Sequence, residues 1–382
     1  MMQALGRLLA ACCLAAALCL AGCGRTGSHT NTAARPILTY LGQSLLASDT
    51  TFGGTPIGGL SGISYDSGRQ IYYVISDDYS AKAPARFYTV RLSLSDKGIS
   101  DISFTGVHPL LDVSGQPFPR ENLSVTPPVV PPDPEGIAFD SGRQRLYWTS
   151  EGERLTDRAP ILVDPWVRIA ALDGAYLGQF ALPSNLAMSA QRTGPRRNRA
   201  LEGLALTPDG RSLFAAMEVP GYNDGPLKDD GDQVLTRVTK FDVATGEPTA
   251  QYVYPIEAPN VGAQFDGVSD LVALSDSTFL VVERSNSLPP VIRIYRAEIG
   301  AATDVLARPS LPGGALTPMR KSLAFDVSAL SVAPDLWPRN LVYNLEGITL
   351  GPKLADGRQS VILVSDNDFS PMQFTQFLLL AM

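Results

Sequence analysis

The stretch 201-LEGLALTPDGRSLFAAMEV-219 decides the fold. It opens on a carboxylate, crosses a short apolar run, turns at Asp209-Gly210, crosses a second apolar run and stops at another carboxylate. Asp-Gly between two apolar runs is a hairpin signal, because a tight turn there needs positive φ. The same order recurs in 60-LSGISYDSGRQIYYVISDD-78, 134-PEGIAFDSGRQRLYWTSEGE-153, 265-FDGVSDLVALSDSTFLVVERS-285 and 345-LEGITLGPKLADGRQSVILVSDND-368. The glycines that follow the first acid or serine are Gly62, Gly136, Gly203, Gly267 and Gly347, spaced by 74, 67, 64 and 80 residues. Self-similarity in fixed order at such periods marks a repeat architecture.

Each interval has room for four strands. In the first they read as 62–66, 71–75, 86–94 and 98–107, and in the second 166-WVRIAAL-172 and 176-YLGQFAL-182 follow the hairpin. Four-stranded antiparallel units repeated around an axis predict an all-β fold, a β-propeller. The last unit has few residues after its hairpin, while 37-ILTYLGQSLLA-47 precedes the first motif without a unit of its own. Pairing of these N- and C-terminal strands would close the ring and remove two exposed edges. Five blades are visible, and 322-SLAFDVSAL-330 leaves room for a sixth. The composition agrees: 34 Gly and 30 Pro supply turns, and 45% hydrophobic residues supply a large core.

Residues 1–22 have one early cation, Arg7, then an apolar run ending in Leu20-Ala21-Gly22-Cys23. That pattern is a secretory leader, shorter than a membrane-spanning helix needs. Its end resembles the bacterial lipobox, in which the cysteine is acylated and becomes the first mature residue, so Cys23 is the expected lipidation site. Residues 23–35 read as a flexible tether and 36–382 as the propeller domain. The expected location is the bacterial cell envelope, anchored by lipid to the outer membrane or periplasmic face in a Gram-negative cell. All four cysteines lie within the first 23 residues, so the domain is stabilised without disulfides. The formal charge of -7 and the lack of a basic patch exclude nucleic acid as partner, and a monomer is expected.

In a propeller the first strand of each hairpin leaves one mouth of the central channel and the second returns to it. The first set of acids is therefore Glu135, Glu202, Asp266 and Glu346, with Ser61 in the first blade; the second is Asp77, Glu151, Glu218, Glu283 and Asp366. Crowded like charges raise one another's pKa or recruit a cation, and hard oxygen donors suit Ca2+. Arg154 and Arg284, next to Glu153 and Glu283, are candidates to hold a small anion there. At the other mouth Arg69, Arg143, Arg211 and Arg358 follow the Asp-Gly and Ser-Gly turns and read as solvated neighbours.

The motifs 59-GLSGISYD-66, 135-EGIAFD-140, 200-ALEGLALTPDG-210, 282-VERS-285, 345-LEGITL-350 and 363-LVSDND-368 together resemble the phytase-like propeller family labelled "esterase-like activity of phytase". The resemblance implies clustered carboxylates holding Ca2+ beside substrate phosphates, with basic residues assisting. A serine esterase is not expected. The two histidines are His29 in the tether and His108 before Pro109, and no Gly-x-Ser-x-Gly elbow exists.

Two functions stay open. One is a calcium-dependent hydrolase of phosphate or other anionic esters at the acidic mouth. The other is a non-catalytic envelope propeller that binds a glycan, peptide or protein and keeps calcium for structure. The inserts 112-DVSGQPFPRENLSVTPPVVPP-132 and 219-VPGYNDGPLKDDGDQ-233 read as rim loops, either plain connectors or carriers of recognition.

Overall fold

A computed structural model describes residues 37–227, 234–257, 266–285, 290–332 and 344–382. The leader 1–22, Cys23 and the tether 23–35 lie outside the described residues.

Five antiparallel four-stranded sheets form the blades of a propeller. From the axis outward, blade 1 is Leu60–Asp66, Ile71–Ser76, Arg86–Ser95 and Gly98–Pro109. Blade 2 is Pro134–Asp140, Arg145–Ser150, Trp166–Ala170 and Tyr176–Gln179, and blade 3 is Leu201–Leu206, Ser212–Met217, Val234–Asp242 and Pro248–Ile256. Blade 4 is Asp266–Ala273, Thr278–Ser285, Ile292–Glu298 and Arg320–Asp326. Blade 5 takes Leu345–Lys353, Gln359–Ser365 and Thr375–Ala381 from the C-terminal end and completes itself with Thr39–Leu46. The innermost strands touch in the order 1, 2, 3, 4, 5 and back to 1. The extra strand candidate at 322–330 is the outer strand of blade 4 and a short 3-10 turn, so five is the blade count among the described residues.

Alternation along each second strand explains its almost unbroken apolar sequence. Successive side chains point to opposite faces, and each face meets a different neighbour. Tyr72 and Val74 pack toward Ile362, Val364 and Phe377 of blade 5. Tyr73 and Ile75 pack toward Ile137, Phe139 and Trp148 of blade 2, with Tyr73 and Phe139 ring centroids 5.1 Å apart. Equivalent cores fill the remaining three interfaces, as where Phe214 of blade 3 meets Phe279 of blade 4 at 4.8 Å. Each such aromatic contributes about 1.5–3 kcal/mol by burial.

Four of the motif glycines, Gly62, Gly136, Gly203 and Gly347, stand where inner strands converge on the axis. A Cβ on Gly136 would lie 2.5 Å from the Glu202 carbonyl oxygen and 3.0 Å from the Leu204 nitrogen, so backbone packs on backbone and no side chain fits.

At the mouth with the Asp-Gly turns, the arginines do more than face water. Asp66 accepts the Gly68 and Arg69 N–H groups and pairs with the Arg69 guanidinium at 2.8 Å. Arg143 pairs with Asp140 at 3.1 Å and donates to the Gly210 carbonyl of the next blade at 2.9 Å.

Candidate functional site

The acidic mouth is built by one local device. In each inner strand the register slips by one residue near its start: between Leu60 and Gly62, Pro134 and Ile137, Leu201 and Leu204, Val268 and Asp270, and Leu345 and Gly347. A bulge leaves its extra residue unpaired and re-aims the side chain. Blades 2, 3 and 5 bulge at Glu135, Glu202 and Glu346, and blade 1 at Ser61. The second strands return with Asp77, Glu151, Glu218 and Asp366 just past the pairs made by Ser76, Ser150, Met217 and Ser365.

Asp77, Glu135, Glu202, Glu218, Glu346 and Asp366 line a cavity of about 300 Å³, together with Arg199, Arg284, Asn198, Asn344 and Asp368, and Glu151 stands beside Glu202 and Glu218 outside its wall. Three trios place carboxylate oxygens within 4.8 Å of one another: Asp77, Glu346 and Asp366; Asp133, Glu135 and Glu151; and Glu151, Glu202 and Glu218. Asp133 is a member that the hairpin motif missed, because it precedes the strand, one residue before Pro134.

Burial and mutual repulsion set the electrostatics. Burial, then Asp366 and Glu346, push the Asp77 carboxyl well above the usual range. Burial and Glu202 do the same to Glu135; burial, Glu151 and Glu218 to Glu202; burial and Glu346 to Asp366. Glu151 is raised by burial and by Asp133 and Glu218, against the Ala200 N–H that donates to it. Burial, then Glu153, push Asp133 up to about 7. Glu346 is pushed up to about 7 by burial, with partial relief from Arg284. Arg284 pairs with Glu346 at 3.0 Å and lies 3.8 Å from Glu218, while Arg199 reaches Glu218 at 3.3 Å. Two arginines against this many carboxylates leave an excess of negative charge that only protons or a cation can balance. The donor set, all hard carboxylate oxygen, fits a divalent cation.

The profile of the family described as "Phytase-like: Esterase-like activity of phytase" matches residues 55–369. The chain belongs to this phytase-like family. No curated protein matches the sequence. Among solved structures, a xylan β-1,4-xylosidase from Bacillus halodurans C-125 is 11% identical with a TM-score of 0.45, covering 81% of this chain and 49% of its own. This chain thus spans about half the length of that protein. A thermostable family-43 glycoside hydrolase is 13% identical at a TM-score of 0.42, with 87% and 92% of the two chains covered. A luciferin-regenerating enzyme is 10% identical at 0.37, with 89% and 96% covered.

Blade 4 of this phytase-like chain departs from the other four. Its bulge falls at Ser269, three residues after the expected Asp266, and Val268 pairs with Glu283. By register, Asp270 therefore stands where the other blades have glycine, and Arg284 stands where they have Asp77, Glu151, Glu218 and Asp366. Asp266 opens the strand opposite Ser285, and its side chain lies outside the described residues. Glu283 turns away from the cavity: Tyr254 donates to it at 2.5 Å and Lys321 pairs with it.

Asp270 is a junction that the sequence did not reveal. Its Oδ1 accepts the Leu204 N–H of blade 3 at 3.2 Å and the Leu271 N–H at 2.8 Å, and its Oδ2 accepts the Ile348 N–H of blade 5 at 2.8 Å. Burial pushes this carboxyl well above the usual range, while the three N–H bonds pull the other way. One carboxylate thus ties the inner strands that carry Glu202 and Glu346.

Arg154 lies outside the cavity. Its guanidinium donates to the carbonyls of Ser189, Ala190 and Gln191 and stacks on Tyr222 at 4.8 Å, which pins the 184–199 loop. Its neighbour Glu153 is held by Arg197 at 2.7 and 3.1 Å. His108 stacks on Phe87 in the outer strand of blade 1, away from the acids.

Proposed function

We propose that the chain is an exported, lipid-anchored hydrolase of phosphate or other small anionic esters, working with calcium at the acidic mouth of the channel. The observation that carries this reading is a set of three carboxylate trios, each with at least one member in the wall of one cavity that also presents Arg284 and Arg199. Glu135, Glu151, Glu202, Glu218, Asp77, Glu346, Asp366 and Asp133 would hold the ion. Bound there, calcium would supply positive charge against the ester's anionic oxygens. Arg284, fixed by Glu346 and Glu218, orients a second cationic group toward the same space. A carboxylate left outside the metal's shell can accept a proton from water. The leader and Cys23 support export and a lipid anchor at the cell envelope.

A second reading has its own observation. Arg284 is already neutralised by two glutamates, which suits a non-catalytic binding propeller with structural calcium. The two part in one experiment on purified protein: metal content, thermal stability with and without chelator, and turnover of phosphomonoesters and carboxylic esters. The hydrolase reading expects bound calcium, a stability loss on chelation and calcium-dependent turnover. A site filled to 100 times its Kd adds about 2.7 kcal/mol. Calcium without turnover selects the binding propeller, and neither calcium nor turnover sinks the hydrolase.

A further inference from the structure

A second cavity of about 260 Å³ adjoins the acidic one, sharing Asn198 with it and walled on that side by Asp133 of a carboxylate trio. Its other walls include Tyr79, Glu121, Pro131, Glu153 and Arg197. The insert 112–132, whose role the repeat leaves unexplained, supplies Glu121 and Pro131 and is itself anchored. Asn122 and Val129 exchange two backbone hydrogen bonds of 2.9 Å, and Phe118 packs on Trp148 and Trp166.

Tyr79 is the informative wall. It is 53% exposed, yet both its neighbours, Asp78 and Ser80, are buried. The buried Asp78 carboxylate accepts the N–H groups of Ala81, Lys82 and Ala83 and pairs with the buried Arg86 at 2.6 Å. Ser80 is held at φ 60°, donates to the Phe118 carbonyl at 3.1 Å and accepts the Ala85 N–H. A non-glycine residue in the left-handed region costs about 1–3 kcal/mol and persists only where its surroundings enforce it. Here the enforcement holds an aromatic ring out over a groove instead of burying it.

The charges choose the occupant. Glu121, Asp133 and Glu153 outnumber Arg197, so a second phosphate or carboxylate would be repelled. Arg197 and Glu153 close on each other through two hydrogen bonds and cancel, and Asp133 belongs to the carboxylate trio that would hold the ion, so of the named walls Glu121 alone is left to attract a cationic head group. What remains is a neutral group with a flat apolar face and a rim of hydroxyls. Its face would lie on Tyr79, and its hydroxyls would donate to the carboxylates and accept from Arg197.

We propose that this groove is a subsite for a sugar ring, so that the ester hydrolysed next door is a sugar ester carrying one anionic group, such as a single phosphate. The inference rests on the hydrolase reading for its second half only. Two measurements keep the parts separable. In the first, glucose, galactose, xylose, arabinose and N-acetylglucosamine are titrated into the calcium-loaded protein by calorimetry. At least one binds with a Kd in the millimolar range, roughly -4 kcal/mol. Tyr79→Ala weakens it roughly five- to tenfold and Tyr79→Phe restores it, since stacking needs the ring and not the hydroxyl. In the second, kcat/KM is compared for a hexose monophosphate, methyl phosphate and choline phosphate. The hexose ester is preferred, and Tyr79→Ala removes that preference while turnover of methyl phosphate stays unchanged. Sugar binding without any turnover keeps the subsite and sinks the hydrolase. No sugar binding at tens of millimolar, a preference for choline phosphate, or a hexose preference that survives Tyr79→Ala overturns the subsite.

Discussion

Blade 4 and the other four blades solve the same packing problem with different residues. Blades 1, 2, 3 and 5 bring inner strands together over glycine and return an acid to the carboxylate cluster. In blade 4 the glycine position is Asp270 and the returning residue is Arg284. The difference shows what each position does. The glycine position exists for close backbone approach, and a side chain is tolerated there only if it replaces contact with hydrogen bonds, as Asp270 does to blades 3 and 5. The returning position faces the cavity, and one arginine there limits repulsion among the acids.

Substitution at Asp270 breaks the comparison most severely. Asp270→Gly restores the glycine found in the other blades, yet it leaves three N–H groups of three strands without their acceptor. A loss of about 3–5 kcal/mol is expected, as for Asp270→Ala, with Asp270→Asn intermediate. Chemical denaturation measures it. If Asp270→Gly were as stable as the parent, the two residues would be interchangeable and the assigned register of blade 4 would lose its meaning.

The next effect belongs to pH in the metal-free protein. Glu346 rises from an ordinary 4.5 to about 7 in the folded state, so between these values the folded chain binds more protons than the unfolded one. Stability is therefore fully present below about 4.5 and is lost as pH climbs through about 7, by roughly 3 kcal/mol at most for this carboxyl. Melting in chelator across that range should show the decline, and calcium should abolish it at the alkaline end. Arg284→Gln should steepen it, because the glutamates then lose the one cation blade 4 supplies. A flat profile would mean that the crowded carboxylates are not protonated in the folded state.

Much of this was legible in the sequence because the repeat is legible. A period-2 apolar strand, an Asp-Gly turn and a returning strand are local signals, and five copies in order force the ring and its closure by Thr39–Leu46. The convergence of acids followed from antiparallel geometry alone. What was hidden is register. In 265-FDGVSDLVAL-274 two starts overlap, Asp266-Gly267 and Ser269-Asp270, and composition favours the first. The choice is made by hydrogen bonds to other blades, far away in sequence. A slip of one residue on the second strand then exchanges Glu283 for Arg284 at the cavity. Arg154 was misplaced for a related reason: adjacency to Glu153 suggested the rim, but alternate side chains of one short strand point to different neighbours.

That exchange yields the mildest and most discriminating test, a matched pair of isosteric changes. Glu218→Gln removes a charge from a trio with Glu151 and Glu202 and should weaken calcium protection against unfolding about tenfold in apparent affinity, a loss of roughly 1.4 kcal/mol. Glu283→Gln removes the same charge from a residue bonded to Lys321 and Tyr254. It should lower intrinsic stability by about 1–3 kcal/mol through the stranded lysine while leaving calcium affinity unchanged. Calcium titrations followed by melting temperature separate affinity from baseline stability. The two glutamates close equivalent hairpins and differ by one step of strand register. Equal effects on calcium affinity would therefore show that distance from the cavity, and not the face of the strand, governs which acids belong to it.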